Sequence, residues 1–173
     1  MDIKSLDISS LTPRLRQIPD APSKLFVRGD IFTNDEPAIA IVGTRKATPQ
    51  SLKIARVIAE ELANYGIIIV SGLAMGIDTA AHEGALSVGG KTVAVLGNGL
   101  DKIYPAQNQN LAKEILSSGG AIVSEYEAGT PSFKQNFIQR NRIISGLSLA
   151  VIVVVFSIYK YTTLRIYICQ VVF

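Results

Sequence analysis

Ile67-Ile68-Ile69-Val70 is a run of four β-branched residues with no polar alternation. A strand with one wet face alternates, whereas a strand hidden on both faces has this composition. Four more runs read the same way: Ala38–Val42, Thr92–Leu96, Ala121–Val123 and Ala150–Val154. Between them lie helical patterns. Thr48 and Pro49 offer an N-cap followed by a first-turn proline, and the helix they open runs to about Tyr65, where Gly66 closes it. Ile54, Val57, Ile58 and Leu62, with Glu61 at the margin, are predicted to form its buried face. Thr79–Leu86 and Asn110–Ser118 read as two further helices. Buried strands alternating with helices predict a doubly wound α/β fold built on a mostly parallel sheet.

Such a sheet binds ligands outside the carboxyl ends of its strands. Three segments fall there: Gly43-Thr44-Arg45-Lys46, the loop Ser71-Gly72-Leu73-Ala74-Met75-Gly76-Ile77-Asp78, and Gly97-Asn98-Gly99. The second joins a strand to a helix start, where free N–H groups and the helix dipole favour an anion. Gly72 and Gly76 would let a ligand approach the backbone; the same glycines equally suit a tight turn. Arg45 and Lys46 follow the first of these strands, and Arg140 and Arg142 lie on a late basic segment, Phe137–Ile144. If both segments reach the sheet edge, four cations surround one glycine loop. Guanidinium groups grip phosphate in a forked geometry, and lysine adds a point charge. Phe137 stands three residues before Arg140 and would share its helix face, as in single-strand binders that stack bases beside cations. Each arginine taken alone is also an ordinary surface charge, and Phe137 an ordinary core residue.

Other chemistries find little support. Cys169 is the only cysteine and His82 the only histidine, which leaves no internal disulfide, cysteine-cluster metal site or serine–histidine pair to build readily. No metal or organic cofactor is expected. The first strand lacks the Gly-x-Gly-x-x-Gly turn of a dehydrogenase, and no Gly-Lys-Ser/Thr loop occurs. Asp78 is expected to cap the helix after the glycine loop or to pair with its dipole, and His82 to be a packed, hydrogen-bonded residue. Glu125 is a candidate base at the sheet edge. The formal net charge of +3 is compatible with a polyanionic partner.

By organisation, residues 1–35 read as a proline-interrupted arm in which Leu25–Gly29 forms a short edge strand. Residues 36–155 form the main domain, and 156–173 an apolar, tyrosine-rich tail. Residues 143–159 carry no charge, but serines and a glycine interrupt them. They read as a helix end, a turn and a buried strand, not as a membrane span. The amino terminus lacks an apolar leader, so a cytoplasmic location is expected.

The order and spacing of five motifs resemble the DNA-processing protein A (DprA, or Smf) family of bacteria. They are Val42-Gly43-Thr44-Arg45; Ser71–Asp78 with Ala81-His82; Gly99-Leu100-Asp101 with Tyr104-Pro105; Ser124-Glu125; and Phe137–Ser148. The resemblance covers residues 11–154. It implies an extended Rossmann-like domain that binds single-stranded DNA without catalysis, protects it during natural transformation and helps load the RecA recombinase. Carried over, the DNA pocket comprises Gly43, Arg45, Ser71, Gly72, Ala74, Gly76, Arg140, Asn141 and Arg142, with Lys46 and Phe137 beside it. Thr44 stands where serine is usual, and Ile138 where proline is usual. After Val154 the family pattern stops, so the sheet is expected to be incomplete at its C-terminal end, which would compromise DNA binding, stable folding and the family's homodimer. The competing enzymatic expectation is a lysine-decarboxylase-like phosphoribohydrolase acting on nucleotide monophosphates, with Glu125 as base and the glycine loop holding the phosphate.

Overall fold

The computed structural model describes residues 2–32, 36–157 and 163–170. The five apolar runs form strands, and the helical patterns between them form helices that close onto both faces of one sheet. In chain order the elements are β1 (Lys4–Asp7), α1 (Pro13–Gln17), β2 (Lys24–Gly29), β3 (Ala38–Gly43), α2 (Pro49–Asn64), β4 (Ile68–Ser71) and α3 (Ile77–Ser87). β5 (Thr92–Leu96), α4 (Gln109–Ser117), β6 (Ala121–Ser124), α5 (Lys134–Gly146), β7 (Ala150–Ser157) and β8 (Thr163–Gln170) follow.

The sheet order is β1-β2-β6-β5-β4-β3-β7-β8. The central five strands, β6 to β7, are parallel, and each end is finished by antiparallel pairing. From β3 the chain steps to β4, β5 and β6 on one side. It then returns along α5 to place β7 on the other side of β3. The switch of direction therefore lies beside β3, where a doubly wound sheet opens its ligand crevice.

Side chains alternate across each strand. Ala38, Ala40, Val70, Val93, Val95 and Val123 meet Leu15 of α1 and Ile143, Ile144 and Leu147 at the end of α5. On the opposite face, Ile41, Ile69, Ile152 and Val154 meet α2 and α3, while Ala94, Leu96 and Ile122 meet α4. Burial on both faces explains why these strands show no polar alternation.

Four expectations change. Residues 2–32 pack into the same sheet and core: Leu11, Leu15, Ile18, Leu25, Val27, Ile31 and Phe32 are buried. Leu25–Gly29 is an inner strand, because β1 covers its outer side. Of the prolines that suggested an arm, Pro13 opens α1, and Pro19 and Pro22 lie in the connection from α1 to β2. On α2 the buried stripe is Ser51, Ala55, Ala59 and Ala63, and Val57 is exposed. Small residues win there because α3 lies close: a methyl group on Gly84 would overlap the Arg56 carbonyl and touch Ala59. At the C-terminal end β7 is not left open, since β8 pairs with it from Ala150–Gln170 to Ser157–Thr163. Tyr167, Ile168 and Cys169 on β8 are exposed, and the rest of the tail at 158–162 and 171–173 lies outside the described residues. Among the described residues, no helix is long and apolar enough to cross a membrane.

His82 is fully buried on α3. Thr92 Oγ1 donates to the Ile69 carbonyl at 2.7 Å and accepts from His82 Nδ1 at 2.7 Å, leaving Nε2 without a partner. Burial, reinforced by the positive charge of Arg140, pulls the imidazole down to about 3. The folded state thus holds His82 neutral, while the unfolded chain takes up a proton below its ordinary value of 6.5. Stability contributed by neutral His82 is complete above that pH and is lost as pH falls toward 3. Chemical denaturation across pH 6 to 4 should show the wild type losing about 1.4 kcal/mol per pH unit relative to His82→Gln. Parallel pH curves for the two proteins would contradict it.

Candidate nucleic-acid interface

Arg140 is the residue around which the strand ends assemble. It lies on α5, 4% exposed, and its Nη1 donates to the Gly72 carbonyl at 2.8 Å and to the Val95 carbonyl. It thereby ties α5 to the carboxyl ends of β4 and β5. Nε has no partner. Burial pulls its pKa down and the nearby positive charge of Arg45 adds to that, while the Asp78 carboxylate opposes both.

Gly72 is small for Arg140's sake. Its φ is not positive, but a methyl group there would collide with the guanidinium. Gly76 has φ +87°, and a methyl group would strike the Thr44 carbonyl, so this glycine lets the β4–α3 loop close onto the turn after β3. Ile77 N–H completes that closure by donating to Thr44 O at 3.3 Å. The loop is further pinned by Asn108, whose Nδ2 donates to the Leu73 carbonyl at 2.8 Å and to Thr79 Oγ1 at 2.9 Å.

Asp78 holds the loop from inside. Its Oδ2 accepts from Gly72 N–H at 3.1 Å and from Ala74 N–H at 3.4 Å. Burial pushes its carboxyl above the usual carboxylate range, against the pull of Arg140 and of the Ala74, Gly72 and Gly43 amides. The loop amides that sequence reasoning offered to a ligand are therefore engaged by the chain's own carboxylate.

Above this base lies a cleft of about 750 Å3 at the switch point. Gly43, Arg45, Ala74, Phe137, Arg140 and Asn141 line it, together with Tyr104, Ser132 and Lys134. One wall is apolar, formed by Val151, Val153 and Val155 of β7 with Ile138 and Ile144 of α5. A small adjoining hollow of about 70 Å3 brings Gly72 and Met75 next to Arg45, Tyr104 and Phe137. Phe137 is half-buried. Arg45 lies over its ring at 5.4 Å and Arg140 at 6.0 Å, and the Tyr104 ring sits 5.4 Å away at 39°.

Four of the predicted site residues stand outside both cavities. Ser71 is buried and donates from Oγ to the Ile41 carbonyl at 2.6 Å, bracing β4 against β3. Gly76 serves loop closure. Lys46 is exposed just beyond the cleft lining, with its N–H on Thr44 Oγ1 at 3.2 Å. Arg142 is turned away: Nη2 pairs with Glu125 Oε2 at 2.6 Å, and the pair is mostly shielded from solvent. Two residues along a helix rotate a side chain by about 200°, so Arg140 and Arg142 cannot share a face. The same pair occupies Glu125, which lines neither cavity. Lys134 and Tyr104 were missed. Lys134 was legible in principle, since it stands three residues before Phe137 and so on its face. Tyr104 reaches the site through a long loop and left no such signal. Among the described residues no group of three His, Cys, Asp or Glu side chains could hold a metal ion.

Comparison with known proteins agrees with this architecture. Residues 6–158 match the family model described as DNA recombination-mediator protein A. The chain is 45% identical over 142 residues to Protein Smf of Escherichia coli strain K12, covering 82% of this chain and 38% of that protein. It is 45% identical over 139 residues to DNA processing protein DprA of Streptococcus pneumoniae, covering 80% and 49%. It thus spans less than half the length of these curated relatives. Among solved structures, the X-ray structure of DprA from S. pneumoniae superposes with a TM-score of 0.79 at 42% identity, over 88% of this chain and 54% of that one. A structure described as giving insight into the single-stranded DNA binding mode of DprA from Helicobacter pylori superposes with a TM-score of 0.77 at 35% identity, over 88% and 68%.

The packing around Arg140 leads to a stability test. Gly72→Ala should destabilise the protein by about 1–3 kcal/mol through overpacking against the guanidinium. Arg140→Met leaves Asp78 buried without its counter-charge and should cost about 3–5 kcal/mol. Denaturant titration measures both, and wild-type midpoints for either variant would refute this packing.

Proposed function

Because the chain belongs to the DNA recombination-mediator protein A family, we propose that it binds single-stranded DNA along the strand-end cleft and catalyses no reaction on it. The observation that carries the reading is the gathering of Arg45, Arg140 and Phe137 over Gly43 and Gly72, beside a cleft open to solvent. Arg45 and Lys46 are exposed and free to follow phosphates. Lys134 extends the cationic rim along α5, and Asn141 adds a hydrogen-bonding side chain. Arg140 contributes a fixed positive charge from beneath and little direct contact.

Bases find two surfaces. Tyr104 is 44% exposed and presents a freer ring than Phe137, which Arg45 and Arg140 already flank. The valine wall of β7 supplies a dry flank. Stacking on such surfaces tolerates any sequence. The bound strand is then passed to the RecA recombinase during transformation or recombination, in keeping with the resemblance of the motifs. The H. pylori relative, whose described subject is single-stranded DNA binding, supports this reading through its similarity to the chain.

The phosphoribohydrolase alternative has less support. It requires Glu125 as a base beside a phosphate on the glycine loop. Here Glu125 is committed to Arg142, and the loop amides to Asp78.

Titration of labelled oligothymidylate and of duplex DNA of equal length, at two salt concentrations, tests the proposal. The single strand should bind more tightly and with strong salt dependence. Arg45→Ala should reduce the log–log salt slope by about 0.7, the value of one phosphate contact on a single strand. Arg142→Ala should leave the slope unchanged, since that side chain points to Glu125. Replacing a stacking ring, as in Tyr104→Ala, should cost about 1–3 kcal/mol. Equal slopes for the wild type and Arg45→Ala would place the DNA elsewhere.

A further inference from the structure

The junction between β4 and α3 has the form of a phosphate-binding turn: a buried strand, a glycine loop and a helix start. Its donors are nevertheless already used. Gly72 and Ala74 N–H groups converge on one oxygen of Asp78, and the Gly43 amide at the end of β3 acts on the same carboxylate. Asp78 is the second residue of α3, at the positive end of an 11-residue helix. The Arg140 guanidinium lies close enough to exert its charge from below. Asp78 is 5% exposed and lines the cleft, so its negative charge stands at the cleft floor. Amides, helix end and guanidinium, the partners a ligand phosphate would require, are all supplied to a carboxylate of the chain itself.

We infer that Asp78 is an internal anion that determines specificity: it fills the amide nest and shuts terminal phosphate monoesters out of the glycine loop. A terminal phosphate at neutral pH carries close to two charges and three free oxygens, and gains most from a ring of converging N–H groups. Placed at this loop it would meet Asp78 at contact distance, with like charges opposed in a partly dry site. A phosphodiester within a chain carries one charge and is flanked on both sides by sugar. It needs no nest and can lie on the outer rim at Arg45. The consequence for DNA rests on the function proposed above; the exclusion of terminal phosphate does not.

The test follows backbone amide resonances of the whole chain during titration with inorganic phosphate and with thymidine 5′-monophosphate. In the wild type, the Gly72 and Ala74 amides should not shift up to millimolar concentrations. Asp78→Ser, which empties the nest and keeps a residue suited to a helix start, should bind both anions at least tenfold more tightly through those amides. Asp78→Asn keeps the shape and removes the charge, and should gain less. Saturable shifts of Gly72 and Ala74 in the wild type would overturn the inference. So would a folded Asp78→Ser with no gain in phosphate affinity. If Asp78→Ser does not fold, the wild-type titration decides alone: unmoved loop amides uphold the inference and saturable shifts overturn it. Oligothymidylate is titrated in parallel. Failure of the wild type to bind it would remove the DNA reading, while the phosphate result would still decide the role of Asp78.

Discussion

A guanidinium and a carboxylate, both buried beneath one loop, set the geometry of the strand-end surface. Burying a single charge costs several kcal/mol unless it is paired and hydrogen-bonded. Arg140 meets that cost with two backbone carbonyls and the field of Asp78. Asp78 meets it with backbone amides and the field of Arg140. The carbonyls and amides belong to the ends of β4 and β5 and to the β4–α3 loop. Two opposite charges therefore fix where those segments end relative to α5. Gly72 is required because the guanidinium takes the space a side chain would fill. Gly76 is required because the loop, once drawn down, must pass over the carbonyl of Thr44.

Much of this fold was legible because its strongest signal is local. A strand buried on both faces must be apolar at every position, and no alternative element of four or five residues carries that pattern between helices. Thr48 and Pro49 announced α2 for an equally local reason, and Thr48 Oγ1 does accept from Ser51 N–H. What failed depended on partners. The buried face of α2 was read from its largest apolar residues, yet the approach of α3 selects Ala55, Ala59 and Ala63. The first 35 residues looked irregular because their elements are short and gain stability only from the sheet they extend. The pairing of β7 with β8 was not legible for a different reason: β8 is eight residues long, but which strand an apolar segment pairs with is not a local property.

At the site, helical geometry separates what sequence had grouped. Arg140, Asn141 and Arg142 are consecutive, but 100° steps send Arg140 to the strand-end carbonyls at the base of the cleft, Asn141 to its lining and Arg142 to Glu125. Counting cations in a motif overstates the charge delivered to one place. The opposite error was made with Asp78. Asp78 does stand in the first turn of α3, at the positive end of the dipole, but it does not cap the helix: Gly76 holds the N-cap position and no side chain caps it. Nothing local indicated that the carboxylate would reach back to residues 72 and 74 and take the amides assigned to a ligand.

The cleft is consequently cationic through its side chains and not through its backbone. Arg45 sits over the Phe137 ring at 5.4 Å, and Arg140 reaches the same ring from the buried side. A guanidinium in contact with an aromatic face can still use its N–H groups in forked contact with an anion. Phe137 is thus a platform flanked by Arg45 and Arg140. Burial lowers the pKa of Arg140, and the positive charge of Arg45 adds to that lowering. Asp78 offsets it from one side only. Under the function proposed above, an anion arriving at the rim would offset it from the other, with its charge at Arg45 and not within the loop.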